Sequence, residues 1–142
     1  MHSEIPVLKP RLTAWQFFGY PSLTSGKSTL TSYLINNLEP DLTALVPMDG
    51  YHLSNKQLQR LNLSDRKGAF NTFDSDGFVS LLRRINLDTD KDIYYPIFHR
   101  EIEESYAADG VVLKNTRLVI TEGNYLLLEK PILSQWLEIK IL

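Results

Sequence analysis

The sequence predicts an α/β fold with a parallel sheet covered by helices on both faces, and three observations predict it. An apolar run, Ala14-Trp15-Gln16-Phe17-Phe18, leads through a loop into a helical pattern with Leu30, Tyr33, Leu34 and Leu38 on one face. A second continuous apolar run, Leu118-Val119-Ile120, ends in Thr121-Glu122-Gly123 and has the character of a strand buried on both sides. Between these, strand-like and helix-like stretches alternate, the pattern of a parallel sheet whose ligands sit at the strand C-terminal ends.

Taken in order, residues 1–12 hold two prolines and little periodicity and read as a lead-in to a single domain over 13–142. A strand is expected over 13–18, a loop over 19–26 and a helix over 27–38 that Pro40 stops. Leu42, Ala44, Leu45 and Val46 make a second short buried strand, closing on Pro47-Met48-Asp49-Gly50-Tyr51-His52. Ser54 fits the N-cap of a short helix running to Leu61, and a polar connector with Arg66-Lys67-Gly68 follows. Phe78, Leu81, Leu82 and Ile85 fall at i, i+3, i+4 and i+7, the stripe of an amphipathic helix. Acidic residues precede that helix and Arg83-Arg84 sit in its last turn, as the helix dipole favours. After an acidic turn over 86–92, Ile93-Tyr94-Tyr95-Pro96-Ile97-Phe98 reads as extended, with Pro96 confining it to an edge or a loop. The strand over 117–123 comes next, then a short helix or loop over 125–135, then a last strand over 136–142.

Composition narrows the function classes. The chain has 142 residues, 43% of them hydrophobic, enough for a true core. A net charge of −2 without runs of like charge argues against a nucleic-acid or anionic-membrane surface. With no cysteine there is no disulfide, zinc-thiolate or thiol chemistry. The N-terminus lacks a signal-peptide pattern and no stretch reaches membrane-span length, so a cytoplasmic protein is expected.

Chemistry enters with Ser25-Gly26-Lys27-Ser28-Thr29, the phosphate-gripping end of a P-loop placed between a strand and a helix. Backbone N–H groups there form a concave anion nest, and the helix N-terminus adds partial positive charge. Lys27 can reach the β- and γ-phosphates of ATP, and the Ser28 hydroxyl can hold Mg²⁺. The loop is irregular: Pro21 stands where the usual pattern has glycine, and the nearest upstream glycine, Gly19, lies two residues too early. Asp49 and Glu122 end the second and third strands, and in a parallel sheet those ends converge with the P-loop. Glu122 has the Walker-B-like place beside Mg²⁺, while Asp49 suits the acceptor side as the group that orients or deprotonates a hydroxyl. Each is also a residue type common in turns and caps. His52 fits an acceptor contact or a solvated loop. Lys67 and Arg100 fit anion contacts or a solvated surface. Asp74 reads as a hydroxyl-binding carboxylate or a helix cap, and Tyr94, Tyr95 and Phe98 as an apolar acceptor wall or core.

Five segments in order resemble one family: 46–52 (Val-Pro-Met-Asp-Gly-Tyr-His), 66–69 (Arg-Lys-Gly-Ala), 72–78 (Thr-Phe-Asp-Ser-Asp-Gly-Phe), 95–104 (Tyr-Pro-Ile-Phe-His-Arg-Glu-Ile-Glu-Glu) and 119–128 (Val-Ile-Thr-Glu-Gly-Asn-Tyr-Leu-Leu-Leu). Together with the P-loop they are similar to the P-loop kinases of the uridine kinase, phosphoribulokinase and pantothenate kinase superfamily, above all its bacterial "nucleoside/nucleotide kinase" members. The resemblance implies a three-layer P-loop kinase fold with strand order 2-3-1-4, and transfer of the γ-phosphoryl group of ATP to a hydroxyl of a small metabolite. It implies Asp49 as catalytic base, Lys27 as a catalytic cation, Glu122 and Ser28 as Mg²⁺ ligands, Asp74 as a holder of acceptor hydroxyls, and Tyr95 to Arg100 as the lining of the acceptor pocket. The sequence departs from that pattern in the stretched P-loop, with Thr24 where glycine is expected, and at His99, where an acidic residue is expected. It ends before the Arg-rich lid and last strand of such kinases, so a lidless, catalytically silent kinase domain and a hydrolysing nucleoside triphosphatase are the alternatives.

Overall fold

The central strand of the sheet comes late in the chain because its residues need cover on every side. In the computed structural model, which describes residues 12–15 and 36–126, β5 (Leu118–Glu122) lies between β1 (Leu12–Trp15) and β2 (Thr43–Pro47), and both pairings are parallel. Val119, Ile120 and Thr121 are all buried, which explains the unbroken apolar run. Thr121 tolerates burial because its hydroxyl donates to the Val46 carbonyl of the neighbouring strand at 2.6 Å. The order β2-β5-β1 is the one the family resemblance implies for the first three strands. The P-loop over 19–26, most of the helix expected over 27–38, most of the connection over 125–135 and the last strand over 136–142 lie outside the described residues.

The expected amphipathic helix forms as α2 (Ser75–Leu87), following the short α1 (Asn55–Arg60). Phe78, Val79, Leu81, Leu82 and Ile85 are its buried residues, packed with Ala44, Val46 and Met48 of the β2 segment. Phe78 is fully buried; an aromatic side chain so placed contributes about 3 kcal/mol of transfer free energy. Asp74 caps α2 by accepting the Gly77 N–H at 3.0 Å, and Ser54 caps α1 by accepting the Gln57 N–H at 3.3 Å.

The aromatic segment is extended and at an edge, as Pro96 requires, and its sheet is a separate two-stranded ribbon. It forms β3 (Ile93–His99), paired antiparallel with β4 (Glu104–Val112), a strand the sequence did not reveal. Tyr95 faces Gly110 and Ile97 faces Tyr106, so Pro96 alone stands opposite Ala107–Asp109. Proline lacks the N–H a regular ladder would use, and the ribbon bulges at that point. Ala108 takes a left-handed φ of 57° within the bulge. The ribbon is fastened to the sheet by Tyr95, whose hydroxyl donates to the Leu45 carbonyl at 2.7 Å. Its ring covers Gly110, where a Cβ would come 2.9 Å from Cδ2.

Candidate active site

The turn after β2 carries Asp49 to the C-terminal end of the sheet. It is a 3-10 turn, Met48–Tyr51, held by the His52 N–H donating to the Asp49 carbonyl at 3.1 Å. Gly50 lets this turn press against the ribbon: a Cβ there would sit 2.8 Å from the Pro96 carbonyl carbon, and closer still to its oxygen. Gly123, after β5, permits a similar approach, since its Cβ would fall 2.7 Å from Met48 Cβ. Two glycines thus bring the ends of β2 and β5 and the ribbon within van der Waals reach of one another.

A cleft of about 260 Å³ opens there. Asp49, His52, Phe73 and Asn124 line it from the sheet side, Lys67 and Gly68 from the connector, and Phe98, Arg100 and Glu103 from the ribbon and its tip. The His52 ring lies between two aromatic rings, 4.0 Å from the Phe73 centroid and 4.5 Å from the Phe98 centroid, the latter stacked. Its Nδ1 lies 2.8 Å from the Asp49 carbonyl oxygen. A carbonyl only accepts, so Nδ1 carries a proton, and in the neutral tautomer the lone pair is on Nε2. Among the described residues nothing bonds to Nε2, and nothing bonds to the Asp49 carboxylate.

Lys67 braces the opposite wall. Its ammonium donates to Asn55 Oδ1 at 2.7 Å and to the Glu103 carbonyl, lies 3.6 Å from the Glu103 carboxylate, and sits 5.4 Å from the Phe98 ring centroid. The Asn55 N–H donates to Glu104 Oε1 at 2.9 Å, tying the start of α1 to the hairpin. At the hairpin tip His99 is held between two carboxylates, Nε2 at 2.7 Å from Asp109 and Nδ1 at 3.0 Å from Glu101. The Asp109 bond first, then the Glu101 bond, raise its pKa above the ordinary histidine value.

Of the residues singled out from sequence, Asp49, His52, Lys67, Phe98 and Arg100 therefore meet in one cleft. Tyr95 is core instead, with burial raising its phenol pKa and its hydroxyl on Leu45. Asp74 takes the capping alternative and is not among the cleft-lining residues. Glu122 is half-buried at the end of β5, level with Pro47 of β2. Ser25, Gly26, Lys27, Ser28 and Thr29 lie outside the described residues. Phe73, Gly68, Asn124 and Glu103 line the cleft without having been singled out for it. All four stand inside the quoted segments, so the signal was present.

No protein-family profile matches the chain. A Schizosaccharomyces pombe protein named "Putative uridine kinase C227.14" is 38% identical over 115 residues, covering 75% of this chain and 49% of that protein. The crystal structure of a "putative fructose transport system kinase" from Silicibacter sp. TM1040 superimposes with a TM-score of 0.80 at 35% identity, covering 94% of this chain and 64% of that one. The structure of YFH7 from Saccharomyces cerevisiae, described as "a putative P-loop containing kinase with a circular permutation", aligns with a TM-score of 0.58 at 27% identity over 66% of this chain and 36% of that one. The chain spans about half the length of the S. pombe relative. By sequence and by its parallel α/β architecture, with the cleft at the strand C-terminal ends, the chain belongs to the P-loop kinases.

Proposed function

We propose that this chain carries the acceptor half and the phosphate loop of a kinase that moves the γ-phosphoryl group of ATP onto a hydroxyl of a small metabolite. The observation that carries the reading is the Asp49 carboxylate: half-buried, at the end of a parallel strand, in an aromatic-walled cleft, with no partner among the described residues. A structural carboxylate in such a place would ordinarily be satisfied by the protein. One that no described residue engages suits a group that accepts a proton from substrate.

In the reaction, Asp49 orients the acceptor hydroxyl and takes its proton as the acceptor oxygen bonds to the γ-phosphorus. The bond from that phosphorus to the ADP oxygen breaks, and ADP leaves. His52, fixed by the Asp49 carbonyl and two rings, presents Nε2 to the acceptor as a hydrogen-bond acceptor. Lys27 steadies charge on the transferring group, with the N–H groups of Ser25, Gly26 and Thr29 around the phosphates. No group of three or more histidine or acidic residues forms a self-sufficient cation site among the described residues. Glu122 at the strand end and Ser28 fit the usual mode for Mg²⁺, one or two protein oxygens plus substrate phosphates. When bound, Mg²⁺ neutralises charge developing on the phosphoryl group.

The test is Asp49→Asn in an ADP-release assay over an acceptor panel of nucleosides, sugars and pantothenate-like alcohols. Turnover should fall by at least about 10²-fold while MgATP affinity stays within about twofold. Loss of both together would remove Asp49 from the proposed role. ADP release that needs no acceptor would favour a hydrolase.

A further inference from the structure

The tip of the β3–β4 hairpin is crowded with carboxylates, and each already has a partner. Glu101 and Asp109 hold His99 from its two sides. Glu103 lies 3.6 Å from Lys67, and Glu104 accepts the Asn55 N–H. Arg100 stands among them in sequence, is exposed, lines the cleft, and makes no ion pair or hydrogen bond with any described residue. The neighbouring Glu101 carboxylate is engaged with His99 at 3.0 Å. Lys67, the other cation of the cleft, has its protons directed to Asn55 and Glu103. The described cleft therefore offers a visiting molecule one open carboxylate, Asp49, and one open guanidinium, Arg100.

We propose that Arg100 receives an anionic group carried by the phosphoryl acceptor, a carboxylate or a phosphate monoester, while the acceptor hydroxyl faces Asp49. The inference rests on the kinase reading above and narrows its acceptor to an acidic alcohol. A planar guanidinium binds either anion through two parallel N–H···O bonds. The rings of His52 and Phe98 line the same cleft and fit the apolar body between the two ends of such a molecule. The acceptor's negative charge, which Asp49 would otherwise repel, is offset by the cation.

Inorganic phosphate is the first probe, added to the whole chain carrying Lys27→Ala so that the nucleotide loop does not compete. The Arg100 side-chain Nε resonance, assigned by its loss in Arg100→Ala, should shift saturably in the millimolar range; no saturable shift overturns the proposal. The second measurement compares matched acceptors by ADP release: pantothenol with pantothenate, and ribose with ribose 5-phosphate. The anionic member of the productive pair should have roughly tenfold or greater advantage in kcat/KM. Arg100→Ala should remove that advantage through the acceptor KM and leave the KM for ATP unchanged. An advantage that survives the substitution, or a rise in the KM for ATP instead, overturns the assignment. Phosphate engaging Arg100 with no acceptor yielding ADP would uphold the anion subsite and sink the kinase reading. Turnover of neutral acceptors indifferent to Arg100→Ala would do the reverse.

Discussion

Gly50→Ala is the perturbation that tests how the turn bearing Asp49 is seated. The new methyl would lie 2.8 Å from the Pro96 carbonyl carbon. The carbonyl oxygen would be closer still, so against ordinary contact distances of about 3.5 Å the turn or the ribbon must retreat by on the order of 1 Å. The obstacle is backbone at the bulge of a ladder that Tyr95 fastens to the sheet, so no rotamer change relieves it. Overpacking of this kind costs about 1–3 kcal/mol, and a rigid backbone obstacle places it near the top, about 2–3 kcal/mol. For a chain of this size that is a fall in Tm of roughly 5–10 °C. Because Asp49 is the preceding residue, a displacement approaching ~1 Å should also lower kcat by about 10²-fold. Urea unfolding followed by circular dichroism measures the first effect, with an unchanged m-value showing that only stability moved. ADP release measures the second. A variant within about 0.5 kcal/mol of the parent would refute the close seating of the turn on Pro96. A variant destabilised as expected but fully active would refute the claim that this seating positions Asp49.

Two further outcomes follow. Asp74→Asn should leave both the unfolding midpoint and the acceptor KM unchanged, because asparagine caps a helix about as well as aspartate, whereas Asp74→Ala should cost about 1 kcal/mol; a large rise in KM for the asparagine variant at full stability would return Asp74 to acceptor binding. For His99, both ring nitrogens face carboxylates that only accept, so the bound form is the imidazolium, facing Glu101 from the hairpin loop and Asp109 and the Tyr106 ring from β4. Its folded pKa is raised, so its stabilising contribution is complete below the ordinary histidine pKa of about 6.5 and is lost as pH rises through the folded value. The Tm advantage of the parent over His99→Gln should shrink across that rise, with the His99 ring protons titrating above the ordinary value; a pH-independent difference would contradict the clamp.

Local signals were legible in the sequence and long-range ones were not. The stripe Phe78, Leu81, Leu82, Ile85 announces α2 because a helix repeats its buried face within one short window, and Ser54 marks the start of α1 through a bond to a residue three positions on. The run before Glu122 announces β5 because a central parallel strand is apolar on both faces. Asp49 was legible for the same reason, since a carboxylate at a strand end needs only its own strand to be recognised. β4 is different. Its sequence, Glu-Ser-Tyr-Ala-Ala-Asp-Gly-Val-Val, has no period-2 alternation, because the bulge at Ala107–Asp109 breaks the register and Asp109-Gly110 mimics a turn.

Missing that strand hid the hairpin, and with it the fact that Arg100 lies at its tip beside the cleft. The pairing of His99 with Asp109 depends on the extra residues of the bulge, and no spacing rule relates the two. The His99 position, read from sequence as a departure at the acceptor pocket, is instead a fastening of the hairpin tip. It engages Glu101 and Asp109, while Arg100 beside it lines the cleft. If the acceptor is recognised there, specificity resides not in the motif that identifies the family but in a clamp outside the cleft. Relatives that keep the Asp49 carboxylate and carry a different residue at the position of His99 should then differ in the acceptor charge they prefer.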